Sequence, residues 1–580
     1  MKRCPQCNRV ETDDALGFCR VDGTALISDS ASLGAIESTE RLGSRSVASE
    51  IKTSILPHSV TDPDKTGPTA RTTALPASQR ASTTRDLVGL KRGRGIVVAS
   101  AAIVIVIGGF VYFNHVWKTQ AAINSVAVLP FQNASGDPNI EYLSDGMAES
   151  LMDSLSQLPN LRVMSRSTAF RYKNKDQDVQ KVGNELNVRA VLTGSLKQVG
   201  DQIVVSVSLD DASDSHHIWG AQYDRKLSDL LSVQREIARD ITGNLRLKLS
   251  GTDESRVTKH YTEDPGAYQL YLKGRFYWNK RTGEALKKSI EYFNQAIDKD
   301  PNYALAYAGL ADAYVLFPPF SAGSPQESFP KAKAAARKAL EIDDRLAEAH
   351  TSLAFAIFLW DWNLSESERE FQKALELNPN YATAHHWRGT LLRTTGQFDE
   401  AIAEEQRALK LDPLSLIINS DLGQIYLWAG QYEKAIEQLR KTIEMDQNFY
   451  YAHVTLGMAY ESKGNYQDAL AEYQKARMLN DDPLVLALLG HVYAASGRRG
   501  EALRALDQLK EIAKVRNVTV YSFALLYTGL GDKDQAFQWL EKGYQDHAYN
   551  LLYIKVYPFL DNLRSDPRYA DLVRRVGLPQ

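Results

Sequence analysis

The sequence predicts a multidomain chain. A small zinc-binding segment, one membrane-spanning helix and an α/β domain precede an all-α superhelix of stacked helical hairpins. Three observations predict it. Gly389, Gly423 and Gly457 stand 34 residues apart, and Ala401, Ala435 and Ala469 keep the same interval. All three cysteines fall within the first 19 residues. The run from Ile96 to Phe113 is apolar and carries no charged side chain.

At 580 residues the chain is too long for one core. Its formal net charge of -3 lacks the basic excess of a nucleic-acid binder, so that partner is disfavoured. With no cysteine after Cys19, no disulfide framework supports the bulk of the protein.

Residues 1–26 open with Cys4-Pro-Gln-Cys7, a knuckle that offers two thiolates to one zinc ion. A second turn, Phe18-Cys19-Arg20-Val21-Asp22-Gly23, supplies one more thiolate and a carboxylate where a second pair of cysteines would stand. The segment resembles the short amino-terminal zinc ribbons, with an FC-x-x-DG ending, of some bacterial membrane and kinase-like proteins. Zinc is therefore expected on Cys4, Cys7, Cys19 and Asp22. Residues 27–91 read as a linker, because the stretch from Ile27 to Leu90 has no aromatic side chain and buries too little apolar area to offset the entropy of ordering.

Residues 92–117 read as a transmembrane helix. At 1.5 Å per residue, Gly95 to Trp117 is long enough to cross a hydrocarbon core of about 30 Å. Tyr112 and Trp117 fall where interfacial aromatics belong. Arg80, Arg85, Lys91, Arg92 and Arg94 precede the span, against Lys118 alone just after it, which places the amino terminus in the cytoplasm and the later domains outside it. The expectation is a single-pass protein of a bacterial inner membrane.

Residues 120–252 alternate strand and helix signals. Val126–Phe131 is a short apolar run ended around Pro130, as a buried strand would be. Tyr142, Leu143, Met147, Leu151, Leu155 and Leu158 recur at helical spacing; 179–186 is a second helix; 188–196 and 202–209 flank the hairpin signal Gly200-Asp201. Ser135 beside Asp137, and the pair His216-His217, could suggest catalysis. Ser-Gly-Asp-Pro is turn chemistry, however, and adjacent histidines in a strand point to opposite faces. The segments VAVLPFQNASGDPNIEYLSDGMAESLMDSL, LRVMSRST and LNVRAVLTGSLKQVGDQIVVSVSLDDASDSHHIWGAQYDR resemble, in order, the TolB-amino-terminal-like domain, also seen in the flagellar protein FlgO. That resemblance implies an extracytoplasmic binding or assembly module with no catalytic residues.

Residues 262–547 read as tetratricopeptide repeats, about eight hairpins, with 548–580 as a C-terminal cap. Gly396, Gly430 and Gly464 and the aromatics Phe398, Tyr432 and Tyr466 repeat the period, while Pro379 and Pro413 end helices. In this family the first helix of each hairpin lines a groove for protein or peptide partners. Residues so placed are Thr383, His386, Thr390 and Arg393, then Ser420, Gln424 and Leu427, then Val454, Met458 and Glu461. Trp360 and Trp362 are candidate anchors, with a packed loop as the safer reading. No phosphate loop, H-E-x-x-H or nucleophile elbow is present. The function expected is a non-enzymatic membrane scaffold; the alternative is a CadC-like signalling receptor with regulatory output through the ribbon.

Overall fold

In the computed structural model the chain divides into two units, 1–96 and 97–580. The structure describes the residue pairs 2–3, 10–11 and 27–28, and residues 123–175, 178–245, 250–259, 261–320 and 323–579. In the first unit, strand β1 (Lys2–Arg3) pairs antiparallel with both β2 (Val10–Glu11) and β3 (Ile27–Ser28). The linker expected from residue 27 thus begins with two residues that belong to this sheet. Cys4, Cys7, Cys19, Asp22, the rest of the linker and the span at 92–117 lie outside the described residues. Among the described residues, no helix is long and apolar enough to cross a membrane.

The second unit starts with a mixed sheet. Strand β4 (Ser125–Val128) runs parallel to β6 (Arg162–Val163) and β7 (Ala190–Val199). β5 (Gln132–Asn133) pairs with β7 further along. β7, β8 (Gln202–Asp211) and β9 (His216–Lys226) form an antiparallel meander. The period of two splits β4 between two cores. Val126 and Val128 face Leu143, Met147, Leu151 and Ile237, from the helices Glu141–Ser156 and Leu230–Asn244. Ala127 and Leu129 face Val182 and Leu186 of the helix Val179–Leu186. A strand buried on both faces accounts for the uninterrupted apolar run in the sequence.

The rest is helical. Among the described residues, hairpins pair Pro265–Trp278 with Gly283–Lys299, Ala304–Leu316 with Pro325–Ile342, and Ala347–Ala356 with Leu364–Leu377. They continue as Ala382–Thr395 with Phe398–Leu411, Leu416–Trp428 with Tyr432–Met445, and Tyr450–Ser462 with Tyr466–Leu479. Pro483–Ala495 with Arg499–Ala513, and Val520–Leu530 with Lys533–Gln545, complete the series. The two glycine series have different causes. At Gly423 and Gly457 a Cβ would lie 2.6 Å from Leu439 and Tyr473 of the second helix, so only hydrogen lets the helices close. Gly396, Gly430 and Gly464 stand at φ 86°, 73° and 79°, the left-handed conformation in which a helix is commonly capped.

The sheet domain is joined to the repeats by polar contacts. Asp412 accepts hydrogen bonds from Ser167 Oγ and from Thr168 Oγ1 at 2.7 Å. Asn380 Nδ2 donates to the carbonyls of Leu158 (3.0 Å) and Leu161 (3.2 Å). Buried Glu149 accepts from Arg275 Nε and Asn279 Nδ2, both at 2.9 Å, and also meets Arg166. Burial alone would raise the Glu149 pKa, but Arg275 and Arg166 outweigh it and hold the carboxyl below its usual range.

Candidate functional site

The wall formed by the first helices is where the sequence places a partner. Of its expected contacts, His386, Thr390, Arg393, Ser420, Gln424, Leu427, Val454, Met458 and Glu461 are buried, none more than 9% exposed, while Thr383 is half-buried. The occupant is the chain's own residues 547–563. His547 stacks on Trp362 at 4.1 Å and meets the edge of Trp360. Tyr553 packs on Trp428, at 5.6 Å, beneath the Arg393 guanidinium. Tyr557 also meets Trp428 and donates to Met458 Sδ at 3.6 Å. Phe559 stacks on His491, which is bonded to Glu461 at 2.6 Å. The expectation of an open groove is therefore corrected, and the cap at 548–580 runs along the wall rather than closing only one end.

Energetics says how firm this seat is. Leu551, Leu552, Ile554, Leu560 and Leu563 are fully buried and Phe559 is 7% exposed. At about 1.5–3 kcal/mol per such side chain, the segment holds on the order of 10 kcal/mol of apolar burial. A peptide of micromolar affinity supplies about 8 kcal/mol in total. The wall is thus packed as an interior.

Behind it lies a buried polar cluster. His386 Nε2 meets Asp421 Oδ2 at 2.8 Å, Arg393 Nη1 donates to Asp421 Oδ1 at 2.8 Å, and Tyr451 donates to the same oxygen at 3.1 Å. Burial opposes the charge on Asp421, yet Arg393 and His386 hold its carboxyl well below the usual range. Glu405, fully buried, has no hydrogen-bond partner for either oxygen, and burial, with Asp421 nearby, pushes its carboxyl well above the usual range. His386, Glu405 and Asp421 each bring one ligand atom within 4.8 Å of the others. Arg393 already supplies positive charge to this cluster, so it is compensated without a cation.

In the sheet domain, Ser135 Oγ accepts from the Gln198 amide at 2.6 Å, which is turn fixation. His217 meets Asp210 at 3.0 Å on an exposed edge. Tyr223 donates to Asp240 at 2.6 Å, tying β9 to the helix that follows.

A concavity lies elsewhere among the described residues. A cleft of about 990 Å³ separates the sheet domain from the first hairpin. Lys173 and Lys175 line one side, Lys273 and Lys280 the other, with Tyr142, Phe276, Tyr277 and Tyr292 between them. Sequence reading missed it because its lysines come from two domains and share no spacing.

Residues 121–239 match the family model of the HilA/YgeH-like transcriptional regulator, second domain. Residues 370–403 and 420–483 match tetratricopeptide repeat models. The chain is similar to the putative adenylate cyclase 3 of Rhizobium meliloti (strain 1021), at 34% identity over 42% of each chain. It is also similar to the transcriptional regulator HilA of Salmonella typhimurium, at 22% identity over 49% of this chain and 50% of that one. The match thus spans half or less of the length of these curated relatives. Solved structures with similarity include Pseudomonas aeruginosa pilF, with 22% identity, 37% of this chain, 93% of that chain and a TM-score of 0.30. The human IFIT1 dimer shares 15% identity over 54% of this chain and 78% of that chain, with a TM-score of 0.36. The C-terminal region is a stack of tetratricopeptide repeats, preceded by a small mixed-sheet domain.

Proposed function

We propose that this chain is a non-enzymatic, single-pass membrane scaffold that holds protein partners. The observation that carries the reading is the repeat stack, a fold used for binding polypeptides. Zinc on Cys4, Cys7, Cys19 and Asp22 would fold the amino-terminal segment, with the span at 92–117 and the positive flank keeping that segment cytoplasmic and the sheet domain and repeats extracytoplasmic. Because residues 547–563 fill the first-helix wall, the partner is held on other surfaces.

A second reading is a transmembrane receptor with regulatory output, CadC-like in plan. It is favoured by the likeness of residues 121–239 to the second domain of a transcriptional regulator. In vivo crosslinking of the full chain, followed by mass spectrometry, tests the scaffold. Reproducible protein partners at the repeats or the sheet domain are expected; crosslinks only within the chain would overturn it. Membrane fractionation, with a reporter fused after Gln580, tests the topology. Reporter activity in the cytoplasm alone would reverse the assignment of sides.

A further inference from the structure

We propose that the cleft between the sheet domain and the first hairpin binds an acidic peptide segment of a partner protein. This rests on the scaffold reading and names the partner's chemistry. The chain as a whole is slightly acidic, with formal net charge -3. The cleft is the reverse: among the described residues that line it, four lysines face a single carboxylate, Glu141. That carboxylate is already committed, because Lys173 meets it at 2.5 Å and also reaches Asp145 at 2.7 Å. Lys175, Lys273 and Lys280 meet no carboxylate among the described residues.

Aromatic faces, rather than acids, hold two of these ammonium groups. Lys273 Nζ stands 4.9 Å from the Tyr142 ring centre and 5.7 Å from that of Tyr292. Lys280 Nζ stands 4.4 Å from Phe276 and 4.8 Å from Tyr277. Tyr277 and Tyr292 stack on each other, at 5.4 Å and 16°, so this floor is itself fixed. A ring quadrupole positions a cation within about 6 Å without neutralising it. Lys273 and Lys280 are therefore positioned yet keep their charge for an incoming anion, and a concave site lined by one sign of charge concentrates that field.

The shape favours a peptide over a compact small molecule. Nine of the seventeen lining residues are polar or charged, whereas small-molecule pockets are mostly apolar. Asn174 lies among the lysines and carries an amide suited to pairing with a peptide backbone, whereas Asn133 and Asn139 are bonded within their own turn. Both domains contribute, so an occupant would also bridge them.

The test uses the full chain in detergent micelles and fluorescence anisotropy with a fluorescein-labelled peptide of Asp, Glu and one Tyr. Its Asn/Gln analogue serves as the control. The acidic peptide is expected to bind about tenfold or more tightly than the analogue and to weaken as salt rises. Lys273→Glu with Lys280→Glu should cost a further tenfold or more, and the Lys273→Gln/Lys280→Gln pair an intermediate loss. Equal binding of both peptides, or no change on charge reversal, overturns the assignment. Complete displacement by an equal concentration of pyrophosphate overturns it too, in favour of a small-anion site. If the reversal variant recovers the same crosslinked partners in cells, the cleft proposal falls and the scaffold stands. If the acidic peptide binds but no partner crosslinks, the scaffold falls and the cleft chemistry stands.

Discussion

Replacing Glu405 with Leu should make this protein more stable, and by an amount that depends on pH. The position meets Gly389 of the first helix, where a Cβ would lie 2.8 Å from Glu405 Oε1; one repeat on, Leu439 meets Gly423 in the same way. Leucine therefore suits the site sterically. The carboxyl is fully buried, with both oxygens unpartnered, a condition that costs about 1–3 kcal/mol. Its folded-state pKa is raised, by burial first and Asp421 second. A carboxyl raised in this way supports folding below its unfolded pKa of about 4.3 and loses that support as pH climbs toward the folded value. The slope is at most about 1.4 kcal/mol per pH unit. Urea unfolding of the wild type and Glu405→Leu between pH 4.5 and 8 should show about 1–3 kcal/mol in favour of the variant at the acid end, from the unpartnered polar group alone, and a larger difference as pH rises. Glu405→Gln, which removes the titrating group and keeps the polarity, should abolish the wild type's pH dependence at this site without the full gain. A destabilised Glu405→Leu, or a difference that does not change with pH, would refute the reasoning.

Gly457→Ala sets a methyl 2.6 Å from the buried Tyr473 ring and should cost about 1–3 kcal/mol in urea unfolding. Gly464→Ala meets nothing within 4 Å but must hold φ 79°, so its cost should be about 1–2 kcal/mol from backbone strain alone. Asp412→Ala removes the acceptor shared by Ser167 and Thr168 and should cost about 1–3 kcal/mol, with faster hydrogen exchange at residues 165–169 as the local readout. Ending the chain before His547 exposes the wall at Trp428 and Met458; dye binding to apolar surface should rise and soluble yield should fall.

Much of the fold was legible because its signals are local and periodic. The 34-residue interval gives the hairpins, and the helix at 179–186 is found at its expected residues. The paired strands around Gly200 were equally plain, since turn chemistry and alternation agree there. Strand β9 was read only as a place for histidines, because it is largely exposed and its apolar face, Trp219, Ala221 and Tyr223, is short. The occupant of the first-helix wall was invisible for a different reason. Residues 549–563 form short 3-10 turns without a period, and nothing local in such a segment says which distant helices it meets. Glu405 could have been found: Phe371, Leu439 and Tyr473 hold the equivalent place in other repeats, and a lone acid among them marks a departure from the core pattern. The cleft combines side chains about a hundred residues apart and needs the structure to be seen.

Translation proceeds from the amino terminus, so the ribosome releases Trp360, Arg393, Trp428 and Met458 well before it makes the residues that cover them. Throughout that interval the newborn repeats carry a sticky aromatic strip along one side. Covering that strip thus waits on residues 547–563, and a stop codon just before His547 should leave it bare.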